Sequence, residues 1–123
     1  MYDLMIKGHF DAAHALHGYP GECSHLHGHT WDVEVVVRGE TLDEIGIVCD
    51  FKTLKADLAE VLEPLDHAYL NDVPPFDALN PTAEHLARHI HEQLASHIPA
   101  GLRVLEVSVW ESPVARITYR ATD

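Results

Sequence analysis

A chain of 123 residues that is 46% hydrophobic can bury one two-layer core but not two, and its composition is that of a folded protein rather than a disordered one. Twenty acidic residues against eight Lys and Arg give a formal charge of -12, which repels a phosphate backbone and excludes nucleic acid as a partner. No apolar run reaches the roughly 20 residues of a membrane helix, and the opening residues lack the basic head and apolar stretch of an export signal, so residues 1–123 are expected to be a single cytoplasmic domain with no membrane partner.

From Leu4 to about His14 the pattern alternates loosely and predicts a strand, with Phe10, Ala12 and His14 on one face. His17 to Glu22 contains G-Y-P-G, a turn signal. Trp31 to Arg38 then alternates strictly, with Trp31, Val33, Val35 and Val37 on the apolar side. If that strand extends back through His29 and His27, both imidazoles share the face of Trp31, and an antiparallel first strand can add His14.

Gly39 to Gly46 reads as a connection, and Asp50 is a helix N-cap. Phe51, Leu54, Leu58, Val61, Leu62 and Leu65 recur at helical spacing until Pro64 ends the run. The stretch L-D-H-A-Y-L-N-D-V-P-P-F is predicted to be loop, although it carries Asp66 next to His67. A second helix starts near Asn80-Pro81-Thr82, buries Ala83, Leu86, Ala87, Ile90 and Leu94, and stops before Pro99 and Gly101. The period of two then returns: Leu105, Val107, Val109 and Glu111 share one parity, and a last strand runs through Ile117 and Tyr119. The order strand, strand, helix, helix, strand, strand predicts an α+β fold, a four-stranded antiparallel sheet with two helices on one face.

The chemistry concentrates in Cys23 to His29, written C-S-H-L-H-G-H, together with His14. Three imidazoles at His14, His27 and His29 are a donor set for a catalytic Zn2+ with one position open to water or substrate, although Cu, Ni and Fe also accept imidazole. The competing account is a set of ordinary histidines in a chain that has 11. Cys23 is a thiolate base if a cation lowers its pKa, a fourth ligand if it closes the site, or an inert thiol. Cys49 follows Ile47 and Val48 and reads as a small buried hydrophobe. Asp66 and His67 are either an acid/base relay or a loop pair capping the preceding helix. His85 and His89 lie four apart but share their helix with Glu84, Arg88 and Glu92, which suits a solvated face. Glu111 is a carboxylate on the apolar side of its strand, a costly position unless it meets a partner or a ligand.

Taken together, F-D-A-A-H ending at His14, C-S-H-L-H-G-H, I-V-C-D-F ending at Phe51, L-D-H-A-Y-L-N-D from Leu65, N-P-T-A-E from Asn80 and V-W-E-S around Glu111 closely resemble the 6-pyruvoyltetrahydropterin synthase family. Within it the resemblance is to the bacterial 6-carboxytetrahydropterin synthase branch of 7-deazaguanine and queuosine synthesis. It implies zinc on His14, His27 and His29, Cys23 as the catalytic base, Asp66 and His67 as a proton relay, and Glu111 as the anchor of a pterin ring. It also implies a lyase that takes 7,8-dihydroneopterin triphosphate to 6-carboxy-5,6,7,8-tetrahydropterin, acetaldehyde and triphosphate. The pyruvoyl branch instead eliminates triphosphate without loss of carbon. Three residues separate Cys23 from His27, as in the carboxy branch, whereas the animal enzymes have a longer gap and a third branch has Glu in place of the cysteine. The fold implied is the tunnelling fold, in a homohexamer of two trimers whose sheets join into barrels, with active sites between subunits. Lys7, Arg116 and Arg120 are candidates for the triphosphate.

Overall fold

In the computed structural model, which describes residues 1–18 and 26–121, the two alternating segments at the start of the chain lie side by side in a sheet. Strand β1 (Tyr2–His14) and strand β2 (His27–Gly39) pair antiparallel along their full length, so the extension of the second strand back to His27 is realised. Even-numbered residues of β1 and odd-numbered residues of β2 face inward, where Phe10 and Trp31 are fully buried and stack with ring centroids 5.9 Å apart. Each large side chain buried in this way stabilises the fold by about 1.5–3 kcal/mol.

Helix α1 (Phe51–Leu62) is capped by Asp50, whose carboxylate accepts the Lys52 N–H at 2.8 Å. Leu54, Leu58, Val61 and Leu62 form its buried face. Phe51, expected in that stripe, is 51% exposed, because as the first helical residue it precedes the turn that meets the sheet. At Pro64 the helix tightens into a 3-10 turn, Glu63–Leu65. The helix crosses β1 closely at Gly8, where a Cβ would lie 3.0 Å from both Leu58 Cδ2 and Leu62 Cδ1.

The stretch predicted to be loop contains a two-residue strand, β3 (Ala68–Tyr69), which pairs parallel with Ala12 and Ala13 of β1. Helix α2 (Ala83–Ala95) follows, with Thr82 as its N-cap and Pro81 just outside it. Strands β4 (Leu102–Ser112) and β5 (Ala115–Arg120) complete the sheet. Its order is β3-β1-β2-β4-β5, five strands and mixed, rather than four and all antiparallel. A strand of two residues shows no periodicity, so only the free edge of β1 at Ala12 and Ala13 marks where it pairs.

A second correction concerns β4. Val36 pairs with Glu106 but Val37 pairs with Val104, so Leu105 is an extra residue on its strand. The bulge shifts the parity: Val104, not Leu105, is buried with Val107 and Val109.

Candidate metal centre and proton-transfer pair

The period of two puts His27 and His29 on the inward face of β2, and the antiparallel register sets His14 directly opposite His27 and Ala12 opposite His29. Three imidazoles therefore meet at one end of a rigid hairpin, with their ring centroids between 4.4 and 5.2 Å apart. Trp31 packs edge-on against two of them, 4.9 Å from His14 and 5.1 Å from His29. His14 is 1% exposed, and its Nδ1–H donates to the Pro81 carbonyl at 2.7 Å, which leaves the Nε2 lone pair facing the other rings.

Whether these residues suit a metal is decided by their ring nitrogens. Nε2 of His29 is buried and makes no hydrogen bond, an arrangement that costs free energy unless a ligand satisfies it. Nε2 of His14 lies 2.9 Å from Nε2 of His27, and Oε1 of Glu111 lies 3.3 Å from Nε2 of His29 and 3.6 Å from Nε2 of His14. Tetrahedral bonds of about 2.0–2.1 Å place ligand atoms about 3.3 Å apart, so these spacings bracket those of a zinc site. All four donor atoms fall within 4.8 Å of one another. Burial, reinforced by the neighbouring imidazoles, holds His14 and His29 below the ordinary imidazole pKa, which keeps them neutral and able to ligate.

Glu111 projects from the inward face of β4, the side on which the sequence had placed it, and its partners there are imidazoles. The carboxylate also lines a cavity of about 210 Å³ with Glu84, Arg116 and Ile117. Glu84, grouped by sequence with the solvated face of α2, thus stands beside the site; its position in the first turn of a helix docked on β4 is the signal that sequence periodicity did not weigh.

Asp66 and His67 form a pair of their own, with Oδ2 of Asp66 at 3.0 Å from Nδ1 of His67. The pair does not cap the preceding helix through its side chains. Asp66 Oδ1 accepts the Asp11 N–H at 3.0 Å, and the His67 N–H donates to the Asp11 carbonyl, so both residues are pinned to the edge of β1. The Asp11 N–H bond, more than the neighbouring His67, holds the Asp66 carboxyl below the ordinary carboxylate pKa. His67 has φ 56°, a left-handed conformation that is uncommon for a residue with a Cβ and is maintained here by the two contacts to Asp11 and Asp66. Asp11 faces away from His14 on β1, so pair and imidazole trio are separate clusters within one chain.

Cys23 lies outside the described residues, as does His25. Cys49 is a free, half-buried thiol whose pKa is pushed up first by burial and then by Asp50 and Asp57, the opposite of activation. His85 is engaged with the Asn80 carbonyl at 2.6 Å and His89 packs against Phe76, so both are half-buried, while Glu84, Arg88 and Glu92 of the same helix are exposed. His91, for which the sequence offered no role, is buried with Nε2 3.0 Å from the Val104 carbonyl. Of the candidate cations, Arg120 is paired with Glu106 at 2.7 Å, Lys7 lies 3.8 Å from Glu34, and Arg116 stacks over Trp110.

The family model described as 6-pyruvoyl tetrahydropterin synthase matches residues 3–122. The chain is 39% identical over 112 residues to 6-carboxy-5,6,7,8-tetrahydropterin synthase of Synechocystis sp., covering 87% of this chain and 85% of that one. It is 38% identical over 108 residues to dihydroneopterin monophosphate aldolase of Pyrococcus furiosus, covering 88% of each. Among solved structures, 6-pyruvoyl tetrahydropterin synthase of Caenorhabditis elegans superposes with a TM-score of 0.87 at 29% identity, covering 98% of this chain and 96% of that one.

Proposed function

The chain belongs to the 6-pyruvoyl tetrahydropterin synthase family, and from that premise we propose that it is the zinc-dependent lyase that converts 7,8-dihydroneopterin triphosphate to 6-carboxy-5,6,7,8-tetrahydropterin. Acetaldehyde and triphosphate are the other products, and the step serves 7-deazaguanine and queuosine synthesis. The observation that carries this reading is the convergence of three Nε2 atoms, one of them buried without a hydrogen bond, beside a carboxylate. His14, His27 and His29 would hold the ion, which would supply Lewis-acid polarisation of the substrate's side-chain hydroxyls.

The chain's own groups do the rest. Glu111, which reaches both the imidazoles and the adjoining cavity, accepts hydrogen bonds from the amino and N–H edge of the pterin ring, with Glu84 beside it. Cys23 takes protons from the side-chain carbons as thiolate. His67, oriented by Asp66 through Nδ1, receives the proton from Cys23 at its outward Nε2. C1′ of the three-carbon side chain ends as the carboxyl group, with one water consumed, and C2′ and C3′ leave as acetaldehyde.

The separation of trio and pair within one chain supports active sites between subunits, where Asp66 and His67 of one copy approach the trio of another. The cavity at Glu111, about 210 Å³, is below the 300–1,000 Å³ usual for ligand pockets, which supports completion by a second chain. The reading therefore includes a cytoplasmic homohexamer of single-domain chains, with sheets closed into barrels.

A second reading has a specific support, the 38% identity to the monophosphate aldolase. A retro-aldol cleavage of the C1′–C2′ bond would release a phosphorylated two-carbon aldehyde in place of acetaldehyde. Incubation of the zinc-loaded protein with dihydroneopterin triphosphate, and separately with the monophosphate, distinguishes the readings. Acetaldehyde with inorganic triphosphate is expected. Glycolaldehyde phosphate would assign the aldolase, and a pyruvoyl product without carbon loss would assign the pyruvoyl branch.

A further inference from the structure

The chain leaves the sheet at His14, and among the described residues the backbone of Ala15 and His17 pairs with no strand. Two asparagine side chains take that place. Asn71 Nδ2 donates to the Ala15 carbonyl at 2.8 Å, and its Oδ1 accepts the Ala15 N–H at 2.9 Å. Asn80 repeats the arrangement on His17, with Oδ1 accepting the N–H at 2.9 Å and Nδ2 donating to the carbonyl at 2.8 Å. A primary amide is the side chain that both gives and accepts hydrogen bonds in one plane without carrying charge, so each asparagine acts as a one-residue strand partner.

Asn80 is committed on its backbone as well. Its carbonyl accepts the Thr82 N–H at 2.9 Å and the His85 Nδ1–H at 2.6 Å, both at the start of α2. The next carbonyl, that of Pro81, accepts the Nδ1–H of His14 at 2.7 Å. The residue that clamps the exit of β1 is therefore the neighbour of the one that holds a ring of the imidazole trio, and both sit where α2 begins. A carbonyl only accepts, so the bond from His14 selects the tautomer whose Nε2 carries a lone pair.

We propose that Asn80 is a positioning residue of the metal centre. By docking on both backbone groups of His17 it sets the Pro81 carbonyl against His14, and so keeps the His14 ring in the tautomer and orientation that ligation requires. Asn71 secures the same exit one residue past His14. Asn80 touches neither the trio nor the cavity beside Glu111; it acts through Pro81. The inference rests on the reading of the trio as a metal site.

Two measurements test it. The ring-nitrogen NMR shifts of His14 in the metal-free protein report the tautomer, and titration with Co2+, followed by its visible absorption, reports affinity. In Asn80→Ala the His14 signals should move from the Nδ1–H tautomer toward a mixture, and Co2+ affinity should fall about 10-fold or more, the size of effect seen when a ligand's outer partner is lost. Asn80→Asp, of the same shape but without the donor, should fall between. Asp50→Ala, which removes the remote cap of α1, should lower the thermal midpoint and leave both readings at the parent values. An Asn80→Ala protein that keeps the tautomer and the Co2+ affinity overturns the proposal, as does an Asp50→Ala protein that loses as much. If Asn80→Ala does not fold, Asn80→Asp decides by the same two readings. If the parent takes up no Co2+ the metal reading fails by itself, and the tautomer shift alone then supports or overturns the positioning role.

Discussion

The imidazole trio and the Asp66–His67 pair stand within a few residues of each other along β1, yet they are built in opposite ways. His14 is 1% exposed, while the His67 side chain is 78% exposed. The trio is fixed by a long antiparallel register and floored by Trp31. The pair hangs on backbone bonds to Asp11 and a left-handed residue. The difference teaches that one cluster gathers its nitrogens inside the chain, while the other leaves its imidazole open to whatever approaches from outside. A buried donor set can hold an ion before substrate arrives; an exposed relay works only where another surface excludes water from it.

The largest effect that can break this contrast is on the trio. His27→Ala should release the zinc and reduce turnover to the uncatalysed background, read together as metal content and acetaldehyde formation. Asp66→Asn should leave the metal content unchanged and lower turnover by about 100-fold or more, since a positioned acid/base group contributes about 10²–10⁴-fold. Co-refolding the two variants sharpens the point: activity should reappear in the mixed oligomer, where some sites combine an intact trio with an intact pair. No recovery would mean that the pair serves its own chain.

Smaller effects separate the clusters by pH. Burial lowers the His14 and His29 pKa values, so the unfolded chain binds protons first, and the metal-free protein should lose stability as pH falls below about 6.5. His29→Gln should flatten that part of the thermal-midpoint profile. Asp66, held below its ordinary value by the Asp11 N–H, contributes stability that is present above about pH 3.9 and lost as pH falls through its folded pKa. Asp66→Asn should alter only that lower window. The smallest effect expected is from Cys49→Ala, which should keep its activity because burial holds that thiol in its neutral form.

The alternation that places His14, His27 and His29 on inward faces is a local property of each strand, and so are the Asp50 cap and, Phe51 apart, the stripes of both helices; these were legible in the residues themselves. The bulge at Leu105 was not, because apolar residues at both Val104 and Leu105 satisfy either parity, and only pairing with Val36 and Val37 chooses between them. Glu84 escaped for a related reason. A carboxylate in a helix's first turn is ordinary until a neighbouring strand brings Glu111 to the same cavity.

By itself, then, the amino-acid sequence determined which side of its strand each of His14, His27, His29 and Glu111 occupies, since a period of two is set by backbone geometry within a few residues. The tertiary structure alone decided that His14 faces His27, that Pro81 orients His14, and that Asp66 and His67 attach at Asp11 on the far side of the strand. Those are contacts between segments distant along the chain, where register and hydrogen-bond partners come from packing the whole sheet against its helices.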